Sequence, residues 1–297
     1  MNISYFECFQ DAFVRMKKSL FEKFSIKKWF IVGFSAFLAG LSGELFFSGK
    51  LNKDRVDIST SPYTLESIFD WLRTHPIWFI IILSSIIFLL AVVLICLWVS
   101  SRAKFVFLDN VVKGKAEIRK PWGDYSNQGN SLFLWRLVFR IVCVLLIGAS
   151  IGLFFVTSIN PATMEIRSGI AVWNFILLVI MTVFCLILIA FITLFLDNFV
   201  IPLMYKHDLK IIEGWKMFLK LYYKNPVKFI LYGFMYLFIY LLFIAMIVAL
   251  GLLTCCMFFV LLLIPYVNSV ITLPMHYTIR LLGVEFLGQF GDEYKLL

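Results

Sequence analysis

The stretch PIWFIIILSSIIFLLAVVLICLWVSS, residues 76–101, decides the fold. It carries no charged residue and exceeds the about 20 apolar residues a helix needs to cross about 30 Å of hydrocarbon. The run from Ser168 to Leu196 is equally free of charge. Working outward, four further apolar segments give six expected spans: 29–48, 77–100, 133–157, 169–195, 229–251 and 254–274. Hydrophobic residues make up 62% of the chain and charged residues 15%, against about 45–50% and about 25% in a soluble domain. That excess excludes a soluble enzyme, a disordered chain, a disulfide scaffold and a nucleic-acid-binding domain.

The expected fold is therefore all-α, a polytopic membrane protein with about six transmembrane helices in three hairpins. Hairpins of helices suit a bilayer because each span satisfies its own backbone hydrogen bonds. The apolar run 229–274 is too long for one crossing, which places a tight turn near Gly251-Leu252-Leu253-Thr254. Of the 27 Lys and Arg residues, 22 fall in the segments 1–28, 101–140, 197–228 and the C-terminal tail. The positive-inside rule then places both termini in the cytoplasm. Trp29, Trp98 and Trp135 mark the inner boundary, Trp78 and Trp173 the outer. No cleavable signal precedes the first span, which reads as a retained anchor.

Three regions follow: a cytoplasmic interfacial helix at 1–28, a six-helix transmembrane domain at 29–274, and a cytoplasmic amphipathic tail at 275–297. In the first, Phe6, Phe9, Phe13, Met16 and Leu20 recur at helical spacing opposite Asp11, Arg15, Lys18 and Glu22. Such a helix either lies in the inner interface or packs on the ends of the spans, and the two readings are compatible. Ser61-Pro62 opens a second short amphipathic helix carrying Leu65, Ile68, Phe69 and Leu72.

The chain also repeats itself. WFIVGF at 29–34 echoes FILYGF at 229–234, Trp122 corresponds to Trp215, and FLDNVV at 107–112 echoes FLDNFV at 195–200. The last pair places Asp109-Asn110 and Asp197-Asn198 in equivalent positions. SRAKFVFLDNVV (101–112), KPWGDYSNQGNSLFLWRLVF (120–139), LDNFVIPLMY (196–205), EGWKMF (213–218) and NPVKFILYGF (225–234) resemble an uncharacterised bacterial polytopic family. That family is similar to the membrane domain attached to bacterial glycerophosphodiester phosphodiesterases. The resemblance implies a bacterial inner membrane and a six-helix core, and carries over no catalytic residue.

Ionisable and polar groups within apolar segments are the candidates for chemistry, since burying a charge in the bilayer costs a few kcal/mol unless it is paired. Asp109 and Asp197, with Arg136, Arg140, Arg102 or nearby lysines as partners, read as a structural clamp or as an ion or headgroup site. Glu44 lies near the outer end of the first span. In the sixth, Pro265 interrupts the backbone ladder, Asn268, Ser269 and Thr272 add polarity, and Pro274 ends the run. Two small-residue faces, Ser35/Ala39/Gly43 and Gly148/Gly152, read as helix contacts.

The six cysteines read as buried small side chains, and His75, His207 and His276 are scattered without a metal-ligand spacing. No catalytic constellation, cofactor site or metal site is expected. The reading is a non-enzymatic protein organising lipid or a protein partner, with membrane lipids, a protein partner or a second copy as its partners and no nucleic acid. The alternative is a transporter or channel for a small solute with the sixth span lining the path; a lipid-modifying enzyme is a third.

Overall fold

The computed structural model describes residues 4–22, 24–47, 71, 73–158, 168–254 and 257–297, with the side chains of 43–47 and 168–171 also outside the description. The expected helix at 61–72, with Leu65, Ile68, Phe69 and Leu72, and the side chain of Glu44 therefore lie outside the described residues. Every regular element among the described residues is helical. In chain order they are α1 (Tyr5–Lys17), α2 (Ile26–Phe47), α3 (Pro76–Lys113), α4 (Arg119–Asp124), α5 (Ser126–Ser158), α6 (Ser168–Phe195), α7 (Ile201–His207), α8 (Ile211–Lys224), α9 (Pro226–Leu253), α10 (Met257–Leu262), α11 (Pro265–Ile271) and α12 (Leu273–Gly288). A π turn, Lys18–Glu22, extends α1, and a second, Leu196–Val200, joins α6 to α7.

Four helical segments among the described residues are long and apolar enough to cross a membrane: Pro76–Lys113, Ser126–Ser158, Val172–His207 and Pro226–Leu253. The longest, α3, has 38 residues, which at 1.5 Å per residue gives about 57 Å, nearly twice the hydrocarbon thickness. Its two halves differ accordingly. From Pro76 to about Ala91 its side chains are exposed on all sides, with Ile77 at 70% and Phe88 at 72%. From Ser100 to Val111 all but Arg102 are buried. The same division runs through α5, α6 and α9, where Val156, Trp173 and Leu253 are exposed at 77%, 73% and 80%. An apolar surface that broad is compatible with lipid and not with water. The molecule thus has an apolar half and a charged half, and the protein core lies in the charged half.

Aromatic side chains fill that core. Phe199, fully buried, stacks on Phe218 at 5.5 Å and meets the Phe229 ring edge-on at 5.1 Å, Tyr232 at 4.8 Å and Phe286 at 5.7 Å. Four segments distant in sequence, on α6/α7, α8, α9 and α12, are joined through this one ring.

Neither the first nor the sixth expected span is among these four segments of the described residues. Helix α2 runs antiparallel along the charged half of α3: Ser35 Oγ lies 3.5 Å from Asn110 Nδ2, and Ser100 Oγ donates to the Ala39 carbonyl at 2.7 Å. Ser35 and Ala39 are buried there, so this small-residue face is a helix contact. At Gly148 and Gly152 an added Cβ would meet nothing within 4 Å. The segment 254–274 is not one helix but two short ones, α10 and α11. Pro265 starts α11 and Pro274 falls at the beginning of α12 rather than at an end. Both prolines suit a first helical turn, whose N–H groups have no intrahelical acceptor. The expected turn after Gly251 is present: α9 ends at Leu253, with Thr254 Oγ1 accepting from Phe258 N at 3.2 Å.

The two ends of the chain pair with each other. Helix α1 buries Cys8, Ala12 and Met16, followed by Leu20, while Phe6 (75%) and Phe13 (43%) stay exposed. Its burying face is thus Cys8, Ala12, Met16 and Leu20 with Phe9 packed beside it, which keeps Phe9, Met16 and Leu20 of the expected stripe and leaves Phe6 and Phe13 outside. Residues 275–297, expected as an amphipathic tail, instead contain α12, one of the most enclosed helices, with Tyr277, Leu281, Leu282, Phe286 and Leu287 nearly or fully buried. Its apolar residues run all the way round because α1, α2, α3 and the π turn surround it.

Candidate functional site

A set of buried and half-buried polar residues of the charged half forms one layer across α2, α3, α5, the π turn and α12. Its centre is Asp197, whose carboxylate receives Lys104 Nζ from α3. Arg280 of α12 donates to the Asp197 backbone carbonyl. That carbonyl is available because Asp197 lies within a π turn, where the usual i to i−4 bonding is displaced by one residue. Pro202 supplies the local cause. It has no N–H to offer the Asn198 carbonyl, and its ring crowds that carbonyl. The carbonyl of Asn198 then faces Gly283, where a Cβ would come within 2.6 Å of it, so glycine is required for α12 to approach.

Above this pair, Arg136 of α5 is 91% buried and is held by hydroxyls: Ser42 Oγ at 2.6 Å, Ser101 Oγ at 3.1 Å and Ser100 Oγ at 3.3 Å. Arg140 donates to the Ser42 carbonyl at 3.0 Å. One guanidinium thereby ties α5 to α2 and α3. Arg102, expected as a carboxylate partner, instead donates to Asn130 Oδ1 at 3.1 Å and lies 4.5 Å from the Trp98 ring centre. Gly129 makes room for it, since a Cβ there would lie 2.7 Å from the Arg102 chain.

Asp109 has a separate set of partners, and none is an arginine. It accepts from Tyr205 at 2.8 Å and Tyr125 at 3.4 Å, and pairs with Lys113 at 2.5 Å. Its neighbour Asn110 accepts from Glu117 N at 3.0 Å, fixing the chain where α3 ends at left-handed Gly114. The repeated Asp-Asn pairs thus occupy similar sequence positions and do different work: the first ties off a helix end, and the second joins helices. The tryptophan echo has a closer counterpart. Trp122 packs against Trp98 at 6.0 Å, and Trp215 against Trp135 at 5.6 Å.

The structure brings Asp197 and Arg136 into one layer with Arg140, and places Asp109 nearby on α3. It does not bring Asn268, Ser269 or Thr272 to that layer as donors. Ser269 Oγ bonds the Pro265 carbonyl at 3.3 Å and Thr272 Oγ1 the Asn268 carbonyl at 2.7 Å, both within their own segment. Sequence reasoning missed Lys104, Arg280, Ser42, Ser100 and Ser101. A lone arginine inside LPMHYTIRLLGVEFLG (273–288) was the signal for Arg280.

Chemically, the layer holds four cations, Lys104, Arg136, Arg140 and Arg280, and one carboxylate, Asp197. The serine hydroxyls that surround Arg136 turn lone pairs to its guanidinium. Among the described residues no group of His, Cys, Asp or Glu is arranged to hold a metal. A separate cavity of about 200 Å³ lies between α1 and α12, lined by Cys8, Asp11, Glu285, Gln289 and Lys295 among others. Burial pushes the Cys8 thiol up to about 12, reinforced by Glu285, Asp11 and Glu7.

A family model matches residues 3–291, nearly the whole chain. The chain belongs to a family of unknown function, DUF7544. No curated protein and no solved structure matches it. The layer and the aromatic core both lie within the matched span of this DUF7544 protein.

Proposed function

We propose that this DUF7544 protein is a non-enzymatic membrane protein that organises lipid around its apolar half, with the charged layer serving as a clamp. In this reading the chain crosses a bacterial inner membrane six times as three hairpins, with both ends in the cytoplasm. The antiparallel pairing of α2 with α3, and of α5 with α6 where Asn174 Nδ2 meets Thr157 Oγ1 at 3.0 Å, supports the hairpin plan. The positive-inside pattern supports the sidedness. Resemblance to the membrane domain attached to glycerophosphodiester phosphodiesterases agrees with a lipid-facing role.

One observation carries the reading. The long helices turn apolar side chains outward on all sides in one half, and the buried ionised groups Lys104 and Arg136 of the other half are matched to protein partners. The transporter alternative needs polar groups directed into a path, and Ser269 and Thr272 spend their hydroxyls on their own backbone. Two measurements on purified protein test this. Phospholipid should remain bound through detergent exchange and gel filtration, as read by mass spectrometry. Proteoliposomes should be no more permeable to small solutes and salts than protein-free vesicles. A permeability increase abolished by Asn268→Leu would replace the proposal with the transporter.

A further inference from the structure

Helix α8 carries a surface that the clamp does not use. One face is fixed in the core: Ile211, Gly214, Phe218 and Leu221 are buried, Ile211 N donates to Ser131 Oγ at 3.1 Å, and Phe218 packs on Phe229 at 5.4 Å. The opposite face is exposed and has two parts. Ile212 (63%), Leu219 (38%) and Tyr223 (76%) form an apolar ridge. Lys216, Lys220 and Lys224, at i, i+4 and i+8, are exposed along one flank of it. None of these lysines has a carboxylate within 4.0 Å among the described residues. Glu213, which shares the flank, accepts from the backbone N of Lys210 at 3.3 Å at the start of the helix.

The position of α8 states what this surface meets. Asn225 alone separates it from α9, which enters the candidate span at Pro226 and is apolar from Phe229 onward. The exposed face therefore lies at the level where a bilayer's headgroups begin. An apolar ridge flanked by lysines is what an in-plane interfacial helix presents, with the ridge in the acyl boundary and the ammonium groups at phosphate depth.

We infer that the α8 face formed by Ile212, Leu219, Tyr223 and Lys216, Lys220, Lys224 is a docking site for anionic phospholipid headgroups. The inference rests on the lipid-organising reading and names the lipid class. Because the opposite face is packed into the core, the site is preorganised and needs no folding on contact.

The experiment is native mass spectrometry of the full chain in detergent, titrated with phosphatidylglycerol or phosphatidylcholine of the same acyl chains. Each lysine near an anionic surface should be worth about fivefold in affinity. Wild type is expected to bind phosphatidylglycerol at least about tenfold more tightly. Lys216→Gln/Lys220→Gln/Lys224→Gln should lose most of that preference, while Lys115→Gln/Lys120→Gln, exposed elsewhere, should keep it. A preference retained by the α8 variant, or lost equally in the control, overturns the assignment. Wild-type binding of both lipids without preference sinks the α8 site alone, whereas binding of neither sinks the lipid-organising reading as well. Unfolding temperature within experimental error of wild type confirms that the variants are folded.

Discussion

The same helices behave as two materials. In the apolar half of α3 a phenylalanine such as Phe88 is 72% exposed and touches what surrounds the protein, whereas in the charged half Phe105 is fully buried. Side chains in the apolar half gain little from protein contact, because a lipid tail is as apolar as a neighbouring leucine. In the charged half, stability comes from close packing of rings and from ion pairs that cannot be left incomplete. Mutational sensitivity should therefore follow position along the helix rather than hydrophobicity of the residue.

The largest effect is expected at Asp197. Asp197→Ala leaves Lys104 buried without its partner, a loss of about 3–5 kcal/mol. Thermal unfolding in detergent should show the variant unfolded or strongly destabilised. A wild-type transition would break the clamp. Phe199→Ala removes the ring shared by four segments and should cost about 3–5 kcal/mol, against less than about 0.5 kcal/mol for Phe88→Ala at the exposed position. Equal losses would erase the distinction between the halves.

Glycines sharpen the comparison further. Gly283→Ala drives a Cβ to 2.6 Å from the Asn198 carbonyl oxygen and should cost about 1–3 kcal/mol. Gly148→Ala meets open space and should be neutral or stabilising by up to about 1 kcal/mol through helix propensity. Reversal of that order in unfolding midpoints would show that the apolar half is packed after all.

The smallest effect is electrostatic and lies at the junction of α1 and α12. Burial raises the Glu285 carboxyl from its ordinary 4.5, opposed by Arg15, whose Nε lies 2.6 Å away. A raised carboxyl favours the protonated form in the folded state, so its contribution is full below the ordinary value and fades as pH rises through the folded one. Wild type should lose stability relative to Glu285→Gln as pH is raised from 4.5 upward. Since Arg15 is half exposed and screened, the pair itself is worth only about 0.2–1 kcal/mol. A gap independent of pH would contradict the assignment.

The apolar half was legible in the sequence, because spanning requires a one-dimensional run of uncharged residues and 76–101 supplies one. The charged half was legible only in part. Asp197 and Arg136 stood out as ionisable groups in apolar surroundings, but their partners did not. Lys104 lies 93 residues from Asp197, and the lysine-rich side of the chain supplied many equivalent candidates. Equal spacing around Asp109-Asn110 and Asp197-Asn198 also concealed a difference: Pro202 follows the second pair by four residues from Asn198 and Gly114 follows the first by four from Asn110, so one helix bulges and the other stops. Apolarity in α2 predicts contact with lipid, and it includes contact with α3. Hydropathy does not separate a side chain bathed in lipid from one packed on protein, and Ser35 and Ala39 gave the only hint.

Collision of oxygen and of a nickel chelate with nitroxides placed at Phe88, Leu145 and Leu188 in reconstituted bilayers tests the division most directly. Residues facing acyl chains should show high oxygen and low nickel accessibility at all three sites. Nickel accessibility, or low accessibility to both reagents at these positions, would mean that water or protein covers the apolar half, and the two-zone account would be wrong.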